Sequence, residues 1–168
     1  MGKFKVISFD PRYVAAFIAL NREWIETYFR IEEMDIQHLE NFQSLILDPG
    51  GEIFFILEGQ LAIGTCAMVP HGHRTYEIAK MAVSPAVRGR GAGDLLMKTA
   101  IEWSSKMGAD SITLLSNTVL EPAISLYKKH GFQIVHLGAH PDYERCNIEM
   151  KLELNAELRR GALRPAEV

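Results

Sequence analysis

Six consecutive residues, Arg88-Gly89-Arg90-Gly91-Ala92-Gly93, put three glycines and two arginines into one short turn. Ahead of them residues 77–83 read as a strand that Ser84-Pro85 closes. Behind them residues 94–107 carry apolar side chains at helical spacing. A glycine-rich turn between a strand and a helix offers bare backbone N–H groups and the positive end of a helix dipole. That is a site for a phosphate or pyrophosphate. Arg88 and Arg90 add charge able to pair bidentately with phosphate oxygens. The histidines at 71, 73, 130, 136 and 140 show no metal-ligand spacing, and His71-Gly72-His73 reads as a solvated turn. No metal is expected.

The elements that must position this turn follow from the periodicity. Residues 3–9 alternate as a first strand, and Asp10-Pro11 reads as an N-cap with proline at the first helical position. A helix to about Phe29 follows, with a break expected near Asn21, and a second helix begins near Asp35 with Ile36, Leu39, Phe42, Leu45 and Ile46 on its face. Asp48-Pro49-Gly50-Gly51 ends it. Residues 53–57 and 61–69, joined through Glu58-Gly59-Gln60, read as a hairpin. A strand over about 75–83 leads into the glycine turn. Residues 111–115 form a nearly all-apolar strand of the kind covered on both faces. Pro122 opens another helix that Gly131-Phe132 ends, and two strands over about 132–137 and 143–154 close the order. The sequence β-α-α-β-β-β-α-β-α-β-β has one βαβ unit at its centre and hairpins around it. It predicts a mixed α/β domain over residues 1–154, with a polar, frayed tail over 155–168, and speaks against a doubly wound nucleotide fold.

Composition narrows the class further. A chain of 168 residues sits near one domain's length, and a net charge of −3 argues against a dedicated nucleic-acid binder. No apolar run approaches a membrane span, and residues 1–5 lead into a strand rather than a signal peptide, so a cytoplasmic protein away from membranes is expected. Cys66 and Cys146 are expected to be reduced thiols.

Residues 83–93 match the Arg/Gln-x-x-Gly-x-Gly/Ala signature, preceded by a Val-x-Pro turn, of the GNAT superfamily of acyl-CoA-dependent N-acetyltransferases. A second block, Asn117, Ala123, Tyr127, Gly131 and Phe132, resembles the Asn…Ala-x-x-x-Tyr-x-x-x-Gly-Phe signature of the same family. The resemblance implies a central, mostly antiparallel mixed sheet splayed at its parallel pair and flanked by about four helices. It implies acetyl-CoA as co-substrate, its pyrophosphate cradled by Arg88, Gly89, Arg90, Gly91, Ala92 and Gly93. There, side chains on the three glycines would obstruct its approach. The pantetheine arm would pair with the strand edge at Met81, Ala82 and Val83, and Asn117, Ala123 and Tyr127 complete the donor site.

In the same reading Tyr127 is the general acid toward the leaving thiolate, a backbone N–H near Met81 stabilises the oxyanion, and Glu77 is the candidate base. Tyr28, Glu32 and Tyr143 are expected to line the acceptor pocket, with Trp24, Phe29, Arg145 and Asn147 nearby. Arg145 either recognises a carboxylate or pairs with Glu144 or Glu149. The implied acceptor is a small-molecule or peptide amine, and a homodimer through the terminal strands is possible. Two other readings stay open: a non-catalytic acyl-CoA-binding sensor, and a mononucleotide binder, the latter weakened because the Lys-Ser/Thr ending of a P-loop is absent.

Overall fold

The structure, a computed structural model, describes residues 3–154, so the tail over 155–168 lies outside the described residues. Seven strands form one sheet in the order β1-β2-β3-β4-β5-β7-β6. They are β1 (Phe4–Ile7), β2 (Glu52–Glu58), β3 (Leu61–Pro70), β4 (Thr75–Val83), β5 (Ser111–Ser116), β6 (Gln133–Leu137) and β7 (Ile148–Glu153). Only β4 and β5 pair in parallel. The helices are α1 (Val14–Tyr28), α2 (Glu33–Glu40), α3 (Ala92–Lys106) and α4 (Glu121–Lys129). This is the mixed α/β architecture expected from the element order.

Both faces of the sheet are covered, which is why β2 and β3 read as apolar runs rather than alternating strands. Leu96, Met97 and Ala100 of α3 pack with Ile56, Ile112 and Met150 on one face. On the other, Phe17 of α1 and Leu39 of α2 pack with Ile53, Phe55 and Leu57. Phe55 is fully buried, its ring 5.5 Å from that of Tyr13.

Four local expectations are corrected. Asp10 caps a short 3-10 turn, Pro11–Tyr13, rather than α1 itself, its carboxylate accepting from the Arg12 N–H at 2.9 Å. Helix α1 runs through Asn21 without a break, because the buried side-chain amide donates to the Phe17 carbonyl at 2.9 Å and needs no partner outside the helix. The second helix splits into α2 and a π-helical turn, Gln43–Leu47. The last strand begins at Ile148, not near Tyr143, because residues 143–145 are held by side chains of the α1–α2 region instead of by a ladder.

Two features of β4 shape everything that follows. Its parallel pairing with β5 lasts only from Thr75↔Ser111 to Ile78↔Leu114, while both strands continue beyond. On its other side the register with β3 jumps from Ala67↔Ala79 to Thr65↔Ala82, so that Lys80 and Met81 together oppose Cys66. That is a β-bulge.

Phe55→Ala removes a fully buried ring from a well-packed face and should cost about 3–5 kcal/mol in urea unfolding with an unchanged m-value. A loss under about 1 kcal/mol would contradict the packing described here.

Candidate active site

Where β4 and β5 part, a cleft opens. It is lined by Glu77, Lys80 and Met81 of β4, by Ser116 and Asn117 at the end of β5, and by Tyr127 of α4. Trp24, Ile25 and Phe29 from the α1 end and Tyr143, Arg145 and Cys146 from the β6–β7 loop close the other side. Residues far apart in sequence thus meet because one parallel pairing stops early. Of the residues singled out in the sequence, Glu77, Met81, Asn117, Tyr127 and Tyr143 line this cleft.

The glycine turn lies just past the end of β4. Gly91 is the N-cap of α3 at φ +83°, and Gly89 stands at +78°. An added Cβ on either meets nothing within 4 Å, so these two are glycines for their backbone conformation and not because a neighbour excludes a side chain. Gly93 differs: a Cβ there would come within 3.2 Å of Leu126, which fixes α3 close to α4. Asp94, in the first turn of α3, faces away toward α4 and takes Lys129 Nζ and His130 Nε2, each at 2.9 Å.

The two arginines have separated. Arg88 is exposed and donates to the Tyr28 hydroxyl at 3.2 Å. Arg90 is ion-paired with Glu58 and lies over the Phe4 ring, its guanidinium carbon 4.7 Å from the centroid. Ala92 is buried at the start of α3, Ala82 is buried and Val83 half-buried at the end of β4, and Ala123 is half-buried on α4.

Tyr127 is half-buried and hydrogen-bonded to Ser116, and burial pushes its phenol up to about 12. At neutral pH it therefore holds its proton, the state a general acid requires. Asn117 is more occupied than its sequence suggests. Its Nδ2 donates to the Arg145 carbonyl at 2.6 Å and its Oδ1 accepts from the Val119 N–H at 2.9 Å, so the side chain ties the end of β5 to the β6–β7 loop.

The acceptor-side expectations change most. Tyr28 points to Arg88 and is outside the cleft lining. Glu32 accepts from the Glu144 N–H at 2.8 Å and from Arg145 NH1 at 3.2 Å. Arg145 pairs with Glu32 and Asp35, not with Glu144 or Glu149; Glu144 instead pairs with Arg30. His71 is not simply solvated: its Nε2 lies 3.0 Å from Glu77 Oε1.

The residue that sequence reading missed is Asp35. Its side chain is fully buried, and it meets Lys80 Nζ at 2.7 Å and both terminal nitrogens of Arg145. Burial pushes the Asp35 carboxyl up, but Arg145 and Lys80 outweigh it and hold it below the usual range. Lys80 is itself 4% exposed, and its burial, only partly offset by Asp35, pulls the ammonium down. Both cations sit on the Tyr143 ring, Lys80 at 5.4 Å and Arg145 at 4.9 Å. The signal was present. Asp35 shares the stripe of Leu39, Phe42 and Ile46, and Lys80 interrupts the apolar run from Ile78 to Val83. A charge on an apolar face implies a buried partner.

Among the described residues the sheet splits at its one parallel pair, with a glycine-rich turn following β4 and a protonated tyrosine inside the cleft. The chain belongs to the acetyltransferase (GNAT) family, whose model matches over residues 17–132. It is 34% identical over 95 residues to an uncharacterized N-acetyltransferase of Schizosaccharomyces pombe, covering 56% of this chain and 58% of that one. It is 29% identical over 94 residues to mycothiol acetyltransferase of Corynebacterium glutamicum, covering 56% of this chain but 32% of that protein. The match thus spans well under two thirds of these relatives. In fold it is similar to a GNAT-family acetyltransferase from Staphylococcus aureus Mu50 (TM-score 0.83, 20% identity, 91% of this chain and 100% of that one). It is similar too to spermidine N-acetyltransferase from Vibrio cholerae, solved with CoA and spermine (TM-score 0.69, 18% identity, 89% and 95%).

His71 supplies a test of the site's electrostatics. Its hydrogen bond to Glu77 raises the imidazole above its ordinary 6.5 against the opposing effect of burial, with Glu149 adding to the rise. The pair therefore stabilises the fold fully below pH 6.5 and loses that contribution as pH rises through the elevated value. An NMR titration should place His71 above 6.5 in the native protein and lower it in Glu77→Gln. An unchanged midpoint in that variant would remove the pairing.

Proposed function

We propose that this protein transfers an acetyl group from acetyl-CoA to a primary amine of a small molecule or peptide, by direct attack of the amine on the thioester. The observation that carries the reading is the convergence of Glu77, the Met81 bulge, Asn117 and Tyr127 on one cleft, with the glycine turn following at the carboxyl end of β4. The turn takes the pyrophosphate on its N–H groups. Arg88, which is solvent-exposed, exchanges the Tyr28 hydroxyl for a phosphate oxygen, whereas Arg90 stays with Glu58 and adds only field. Residues 81–83, beyond the last pairing with β5, offer the donor's amides a strand edge.

The chemistry then follows from the cleft. Glu77 accepts the ammonium proton, directly or through water, and His71 lies beside it on the solvent side. The freed amine attacks the thioester carbon, and the backbone N–H at Met81 stabilises the oxyanion. Collapse expels the thiolate, which takes the Tyr127 proton, and the acylated nitrogen sheds its second proton, which returns Tyr127 to its phenol form through solvent. Structures similar in fold include a Salmonella typhimurium protein solved with its cofactor acetyl-CoA (TM-score 0.72), which supports the donor. The acceptor wall of Trp24, Phe29 and Tyr143 supports an amine carrying apolar or aromatic surface.

Beyond the cleft, the outer edge of β6 leaves Ile134, Val135 and Leu137 exposed, and that is where a homodimer would pair, a state that light scattering reads directly.

Acetyl-CoA should raise the melting temperature, and a panel of amines followed by mass spectrometry should give an acetylated product and free thiol. A thermal shift with no product across the panel would favour an acyl-CoA sensor; a larger shift with ATP than with acetyl-CoA would favour a nucleotide binder. Tyr127→Phe should lower kcat by about 100-fold or more while acetyl-CoA affinity stays at the native level. Normal turnover in that variant would remove the acid role.

A further inference from the structure

Lys80 is the one non-glycine residue of the sheet interior among the described residues with a left-handed backbone, at φ +51°. It occupies the bulge of β4, and the peptide unit that begins at its Cα ends in the N–H of Met81. Whatever fixes Lys80 therefore fixes the direction of that N–H. Its own backbone conformation is strained for a residue with a Cβ, so the surroundings must hold it.

What holds it is a chain of contacts spanning the cleft. From the β4 lip, Lys80 Nζ reaches Asp35 Oδ1 at 2.7 Å. Asp35 takes the forked guanidinium of Arg145, whose NH2 lies 2.6 Å from the same oxygen. The main-chain carbonyl of Arg145 takes Asn117 Nδ2 at 2.6 Å, and Asn117 stands at the end of β5 on the opposite lip. Glu32 braces the strap from outside through Arg145 NH1. The four residues come from β4, α2, the β6–β7 loop and the end of β5, with no shared ladder beyond Ile78 and Leu114.

We propose that Lys80, Asp35 and Arg145 are positioning residues that, through Asn117, strap the two lips of the split sheet and aim the Met81 N–H at the donor carbonyl. None of the three exchanges a proton with the substrate. The inference rests on acetyl-CoA occupying this cleft. It goes beyond that reading in assigning buried ion pairs, not the helix or the glycine turn, as what sets the oxyanion donor.

The test uses the full chain and acetyl-CoA labelled with 13C at the thioester carbonyl. In the native protein the carbonyl resonance should move downfield on binding, as hydrogen bonding polarises it. Lys80→Met leaves Asp35 with Arg145, so no buried carboxylate is stranded, and the variant is expected to fold. It should bind acetyl-CoA with native affinity and lose the downfield displacement. Lys80→Gly relieves the left-handed strain and so needs no anchor; it should keep the displacement.

A native displacement in Lys80→Met overturns the proposal, and so does its loss in Lys80→Gly to the same extent as in Lys80→Met. Should Lys80→Met fail to fold, Arg145→Met, which leaves Asp35 with Lys80, is read in the same way: loss supports the strap and retention overturns it. No binding, or no displacement, in the native protein would sink the donor reading and the strap together, an outcome distinct from failure of the variants alone.

Discussion

The parallel ladder between β4 and β5 stops after Ile78↔Leu114, and the structure of the site follows from that stop. Elsewhere the sheet is antiparallel, and its strands stay paired along their lengths. A parallel pair needs a crossover to join it, here α3. The turn that starts α3 must then stand at the carboxyl end of β4, beside the gap. The gap and the glycine-rich turn are thus two consequences of one connection. The bulge at Lys80-Met81 re-aims β4 just where it leaves β5, so the strand keeps β3 on one side while its other edge opens.

An open gap between strands leaves backbone groups unpaired and is costly unless something spans it. The protein uses charge. Asp35, fully buried, carries two cations, and removing its carboxylate would strand the buried Lys80 and leave Arg145 with Glu32 alone, a loss on the order of 3–5 kcal/mol. An apolar cluster of the same volume would match or exceed it in stability. A packed apolar patch, however, is not directional. The fork of Arg145 and the point charge of Lys80 fix angles as well as distances, which the proposed oxyanion donor would require. Tyr143 adds a flat surface against which both cations lie, and so fixes their height above the cleft floor.

Much of this was legible in the sequence because it rests on local chemistry. Gly89 and Gly91 advertise positive φ, Pro122 a helix start, and the run from Ser111 to Leu115 a strand covered on both faces. Tyr127 and Glu77 fall into the cleft because helix and strand periodicity already fix their directions. What stayed hidden depends on long-range pairing. Arg145 has acidic neighbours in sequence, Glu144 and Glu149, yet its partners are 113 and 110 residues away. Nothing local distinguishes them. Asn117 looked like a ligand contact, and in the fold its amide is committed to the Arg145 main chain. Arg90 likewise turned from the turn it belongs to toward Glu58.

The same division explains why the donor is easier to read than the acceptor. The proposed donor contacts use backbone: N–H groups of a turn and the edge of a strand, whose positions follow from glycine, proline and periodicity. Acceptor recognition uses side chains drawn from α1, α2 and the β6–β7 loop, none adjacent in sequence. Three acids, Glu32, Asp35 and Glu77, meet the bases Lys80 and Arg145 and the ring of His71. Glu32 and Asp35 are committed to Arg145 and Lys80, and Glu77 takes His71 at 3.0 Å from the solvent side. The ionic side chains of this side of the cleft are thus committed to one another across four elements, so its shape and its charge are set by the same long-range pairs.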